Sequence, residues 1–181
     1  QYFRLKEVSK TKNFIFKGKQ SFSSSKLDQI KVQFCKSNEL DTKIFSNEIY
    51  LVLAESDQIN QDELKDILSA KENDTDFSFY VGPRLGTISP WSSKTEDIIR
   101  NVGFKNILRV ERLHGFKIES DFEIDKSDLS MFYDRMTQSI YFNYEDFADL
   151  FKTEKAKSLN KINILDKGKS ELEQANKLYG F

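Results

Sequence analysis

One cysteine and one histidine limit the covalent and metal chemistry open to this chain. Cys35 and His114 are the only residues of their kinds among 181. A thiolate nucleophile would have to be Cys35 with His114 as its base, and a histidine-rich metal centre is impossible. Cys35 ends the alternating run Ile30-Lys31-Val32-Gln33-Phe34-Cys35, where a plain strand residue is the simpler assignment. A single cysteine cannot form an internal disulfide, which suits a reducing cytosol. Gly168-Lys169-Ser170 has the ending of a phosphate-binding P-loop, but the pattern needs glycine at position 163, which is Asn163.

The segment richest in chemistry is Gly82 to Asp97. It holds both prolines, Pro83 and Pro90, the only tryptophan, Trp91, and five hydroxyl residues, Thr87, Ser89, Ser92, Ser93 and Thr95, flanked by Arg84 and Lys94. The segment joins a strand to a capped helix. Backbone N–H groups at a helix start carry partial positive charge, so an anion, a phosphate or a polar substrate edge is a plausible guest. A purely structural reading competes and, on the residues alone, has the better claim. In it Ser93 caps the helix, the prolines fix the loop and Trp91 packs.

The elements that must position this loop are legible to different degrees. Leu27 to Cys35 alternates like a strand, and Glu48 to Ala54 reads as a buried strand. Asn60 with Glu63 predicts a capped helix near 61–70, and Phe77 to Val81 predicts a strand leading into the loop. Ser93-Lys94-Thr95-Glu96 reads as a capping box for a helix near 94–102, stopped by Gly103. Two strands, 106–112 and 116–119, are expected around a turn at His114-Gly115. Next comes a helix capped by Asp125 to Asp128, with Leu129, Phe132, Met136 and Ile140 as its apolar stripe, and a short helix near 144–151. Without regular βαβ alternation, the pattern predicts an α+β fold: a largely antiparallel sheet with helices packed on one face. Strand-strand-helix appears before and after the loop, which hints at an internal duplication. Residues 1–151 read as one domain and 152–161 as a polar linker. Residues 162–181 read as the start of a helical domain whose remainder lies outside the sequence.

Bulk composition narrows the partners. Lys and Arg total 28 against 29 Asp and Glu, a net charge of −1 with no basic tract, which disfavours nucleic acid. No run of about 18 apolar residues exists, so no membrane span is expected. The sixteen phenylalanines can fill a core without polar partners.

The string Gly86-Thr87-Ile88-Ser89-Pro90-Trp91-Ser92-Ser93-Lys94, followed by Asp97-Ile98, resembles the signature loop of the large single-chain phosphoribosylformylglycinamidine synthases, also called formylglycinamide ribonucleotide amidotransferases. Pro83-Arg84, Arg109-Val110-Glu111-Arg112 and Asp134-Arg135-Met136-Thr137 match the family's flanking segments. Leu165 to Gly180 resembles the start of its helical linker domain. The chain departs from the family at Leu85, at Leu113-His114, and at Tyr133, where a histidine is usual. The resemblance implies an N-terminal domain, similar to a dimer of the small accessory subunit of split enzymes. It implies a full-length cytoplasmic ligase that uses ATP, magnesium and glutamine to make formylglycinamidine ribonucleotide from formylglycinamide ribonucleotide. Catalysis would lie in later synthetase and glutaminase domains, leaving this stretch inactive and without a cofactor of its own. The domain would pack on the synthetase domain and help form the substrate site and the ammonia path. Its expected partners are the linker, synthetase and glutaminase domains, with the ribonucleotide at a shared cleft.

The expected cleft-edge residues are Thr87, Ser89, Trp91, Ser92, Ser93 and Lys94. A charge-assisted contact from Lys94 would be worth about 1.5–3 kcal/mol. Arg112, Asp134 and Arg135 read instead as structural ion pairs. Two other readings remain at this point: a stand-alone assembly subunit, and a small anion-binding regulatory domain.

Overall fold

The computed structural model describes residues 11–38, 42–73, 76–120, 126–143, 145–146, 149–152 and 161–179. Its strands are β1 (Lys12–Gln20), β2 (Lys43–Ala54), β3 (Lys71–Glu72), β4 (Phe79–Pro83), β5 (Ile107–Glu119) and β6 (Gln138–Tyr141). They form one sheet in the order β3-β1-β2-β5-β4-β6, and every pairing is antiparallel. The helices are α1 (Ser24–Asn38), α2 (Gln61–Leu68), α3 (Pro90–Val102) and α4 (Ile164–Tyr179).

Strand register determines which residues meet the helices. Ile44 pairs with Ile118, Tyr50 with Arg112 and Val52 with Val110, and alternate residues point to opposite faces. On one face Ile44, Phe116 and Ile118 pack with Leu27, Ile30 and Phe34 of α1. Further along that face Tyr50, Val52 and Val110 pack with Leu64 and Leu68 of α2 and Ile99 of α3. The first three helices therefore lie on one face of an antiparallel sheet, as the α+β pattern predicts. The opposite face gathers Ile49, Leu51, Leu113 and Tyr141 with Phe77 and Leu150.

Three expectations about elements need correction, and one strand was missed. Leu27 to Cys35 is helical, because Leu27, Ile30 and Phe34 also sit at spacings of three and four, and that face is the one buried, while Val32 is 53% exposed. The alternation came from Ile30 and Phe34, which satisfy both periods. Residues 107–119 form one strand, with no turn at His114-Gly115. Gly115 pairs with Asn47 on one side and Tyr80 on the other, and a Cβ there would meet the Phe77 ring at 2.9 Å. The expected helix over 128–140 is instead a 3-10 turn at Lys126–Met131 followed by a loop and β6. Leu129 and Phe132 are buried, but Met136 is 79% exposed. Finally, β1 had no counterpart in the sequence reading. With α1 helical and 128–140 not, the strand-strand-helix order does not recur, and the suggested duplication is not confirmed.

Of the helix expected near 144–151, the described part includes a 3-10 turn at Asp149–Phe151. Most of the 152–161 linker lies outside the described residues. α4 is interrupted at Gly168, whose φ of 61° lies in the left-handed region.

Candidate functional site

The site arises where the sheet splits. β4 pairs with β5 only through Phe79, Tyr80 and Val81, whereas its pairing with β6 continues through Gly82 and Pro83. Pro83 has no N–H to give the β5 ladder, and the Tyr141 hydroxyl donates to its carbonyl. The first turn of α3 serves the edge of β5 that β4 vacates. Ser92 is buried there, its hydroxyl donating to Val110 O at 2.6 Å.

α3 begins four residues earlier than the capping-box reading places it. Ser89 is the N-cap, accepting from the Ser92 amide at 3.0 Å, and Pro90 holds the first helical position, where a missing N–H costs nothing. Ser93 lies inside the helix and is exposed. Gly103, with φ of 121°, ends the helix as expected.

The start of this helix already has an internal anion. Glu111 is fully buried, and its carboxylate accepts from the Ser89 hydroxyl, from Arg109 Nη2 at 2.9 Å and from the Arg112 amide at 3.3 Å; the Ser89 amide lies at 3.4 Å. Arg109 also donates to Leu150 O and Thr87 O, which ties the loop to the strand.

Between the α1 and α3 ends of the helix face, the sheet carries polar residues. Glu48 accepts from Arg112 Nη1 at 3.1 Å and from the Tyr50 hydroxyl at 2.6 Å, and Glu48 is paired across strands with His114. The Arg112 guanidinium lies 5.1 Å from the Trp91 ring centroid, and Trp91 in turn stacks on Tyr50 at 5.6 Å. His114 lies against Phe22, with ring centroids 5.0 Å apart, and its Nδ1 is buried with no partner among the described residues. Burial, then the charge of Arg112, holds the His114 pKa below its usual value, partly opposed by Glu48. Burial, reinforced by Glu48, pushes the Tyr50 hydroxyl up.

Above this floor lies a cleft of about 440 Å³. Thr87, Ser89 and Trp91 line it, as do Arg112, His114, Thr137 and Gln138. Ser92 is buried behind the cleft, while Ser93 and Lys94 are exposed but do not line it. Arg112 pairs with Glu48 rather than with Asp134. Asp134 closes its own turn, accepting from the Met136 amide and the Thr137 hydroxyl, each at 2.9 Å. These contacts, the backbone one first, hold its carboxyl below the usual range. Arg135 lines a neighbouring groove with Arg84. The sequence reading missed Arg112 and His114 as cleft residues. The available signal was their two-residue spacing with Val110 and Phe116, which puts all four on one face once 107–119 is one strand.

Among the described residues no three acidic, histidine or cysteine side chains gather as a metal-binding group, and no helix is long and apolar enough to cross a membrane. A family model for the N-terminal region of formylglycinamide ribonucleotide amidotransferase matches residues 47–151. The matched stretch holds most of β2, all of β4, α3, β5 and β6, and every residue that lines the cleft. The chain therefore belongs to the formylglycinamide ribonucleotide amidotransferase N-terminal family, the N-terminal domain of the phosphoribosylformylglycinamidine synthase of purine biosynthesis.

Proposed function

We propose that this domain is a non-catalytic wall of the full-length ligase, packed by its loop face on the synthetase domain. The full-length enzyme converts formylglycinamide ribonucleotide to formylglycinamidine ribonucleotide with ATP, magnesium and glutamine, in the cytoplasm. Its ATP and glutaminase chemistry belongs to other domains, and this domain helps shape the ribonucleotide site and the ammonia path.

The observation that carries this reading is the exposed apolar rim of the cleft. Leu85, Ile88 and Met136 are 54%, 63% and 79% exposed, and Ile88 and Met136 line the cleft mouth. A rim of this kind around polar groups is a usual mark of a covered surface. Thr87 and Trp91 would face the shared space from inside the cleft. From the exposed shoulder of α3, Ser93 would meet the neighbouring domain and Lys94 would bring its charge near the ribonucleotide phosphate at the shared boundary.

The test uses the full-length enzyme carrying Ile88→Asp or Lys94→Ala, with turnover measured on glutamine and on free ammonium. A wall of the ammonia path predicts a loss of roughly tenfold with glutamine for Ile88→Asp, and a smaller loss with ammonium. Lys94→Ala is expected to raise the ribonucleotide KM if Lys94 lies near the phosphate. Unchanged values for both substitutions with both nitrogen donors would remove the loop face from the enzyme's interior.

A further inference from the structure

We infer that the cleft where β4 parts from β5 is a binding site for a single carboxylate carried on an apolar stem, with Arg112 and Gln138 as its donors and His114 in its wall. The donor inventory identifies the ligand. Arg112 spends Nη1 on Glu48, and its side chain is 34% exposed at the cleft. Among the described residues its Nε and Nη2 have no protein partner, nor does Gln138 Nε2. Gln138 Oε1 accepts from the Asp134 amide, which fixes the carboxamide with its N–H groups unspent. The hydroxyls nearby are committed: Thr87 donates to Arg84 O, Ser89 to Glu111 and Thr137 to Asp134. With the hydroxyl hydrogens spent inside the protein, the unspent N–H groups of Arg112 and Gln138 are the donors left for an oxyanion.

Charge and shape select a carboxylate over a phosphate dianion. Glu48 offsets Arg112, so among the described lining residues Arg84 alone brings a positive charge with no carboxylate beside it, which matches one negative charge better than two. The contact of Arg112 with the Trp91 ring and its bond to Glu48 hold the guanidinium in place, leaving its Nε–Nη2 edge for a planar two-oxygen partner. Ile88 and Met136 at the mouth would cover the apolar stem. The carboxylate has two candidate sources, an acidic side chain of a neighbouring domain or a free small molecule. Only the first rests on the packing reading above.

The chain carries its own reporters, since Trp91 and His114 are its only tryptophan and histidine. The 181-residue chain is titrated with acetate, butyrate and inorganic phosphate, following Trp91 fluorescence and the ring resonances of His114. Butyrate is expected to bind with Kd on the order of 10 mM, tighter than acetate, with phosphate weakest. The bound carboxylate should raise the His114 pKa. Arg112→Gln should abolish the response. Because that change also leaves Glu48 without its cation, a second variant, Ile88→Ser, alters only the exposed rim and should erase the preference for butyrate over acetate. Silence of both reporters at about 100 mM butyrate, or phosphate binding more tightly than butyrate, would overturn the site.

Hydrogen exchange on the full-length enzyme then separates the sources. Peptides from residues 82–91 that are protected and insensitive to butyrate indicate a resident side chain, whereas protection that appears only with butyrate indicates a free ligand. The second result would leave the carboxylate site standing while removing the packing reading.

Discussion

Replacing Glu111 by Gln changes one oxygen to an amide at the most heavily bonded point of the site. The carboxylate is fully buried and accepts from the Ser89 hydroxyl, Arg109 and the Arg112 amide. Glutamine retains one accepting oxygen but turns an N–H donor toward groups that are themselves donors. It also removes the partner of Arg109, whose side chain is only 14% exposed. Losing one member of a buried pair costs about 3–5 kcal/mol, and Arg109 keeps its bonds to Leu150 O and Thr87 O, so the lower end, about 3 kcal/mol, applies. At roughly 2–4 °C per kcal/mol for a chain of this size, the melting temperature should fall by about 6–12 °C. Thermal unfolding followed by circular dichroism measures the fall. A double-mutant cycle with Arg109→Met tests its cause, with an expected coupling above about 1 kcal/mol. A drop below about 2 °C, or strictly additive single and double variants, would refute the claim that Glu111 binds loop, helix and strand together.

Three further outcomes follow from local geometry. Ser89→Ala should cost about 1–2 kcal/mol of stability by removing the α3 cap, whereas Ser93→Ala should stay within about 0.5 kcal/mol; urea titration of both decides which serine caps the helix. His114 has its folded-state pKa held below the ordinary 6.5, so the unfolded chain binds its proton first. Stability should thus decline as pH falls below that unfolded value toward the folded one, and His114→Gln should flatten unfolding midpoints between about pH 7 and pH 5. Gly115→Ala would press a methyl against the Phe77 ring at 2.9 Å and Ile49 at 3.1 Å, so a loss of about 1–3 kcal/mol is expected in the same unfolding assay.

Elements whose signals were local and unambiguous were legible in the sequence. The α2 cap was readable because Asn60 and Glu63 bond each other: the Glu63 amide donates to Asn60 Oδ1, and Asn60 Nδ2 donates to Glu63 Oε2. The core of β2 was readable because its second half is buried on both faces and so is continuously apolar. What stayed hidden depended on partners distant in sequence. Gly115 looked like a turn because a glycine in mid-strand makes sense only once Phe77 is seen against it. Met136 and Ile140 kept helical spacing with Leu129 and Phe132, but the Asp134 turn between them bonds locally and breaks the helix, sending Ile140 into β6. In the loop, the presence of a special segment was readable, but the division of labour within it was not. Ser92 and Ser93 are adjacent and chemically identical, and only the open edge of β5 determines that one is buried and the other exposed.

The parting of β4 from β5 also makes chain length a structural variable. Residues 84–88 alone carry the chain from Pro83, round the cleft, to the Ser89 cap that delivers the first turn of α3 to the vacant strand edge. Removing a residue from this stretch would drag the helix start off Val110 or force β4 back toward β5, and either would narrow the opening. Lengthening it would leave both anchors in place and merely loosen the rim. Deletions and insertions between Leu85 and Ile88 should therefore act as opposite adjustments of one aperture.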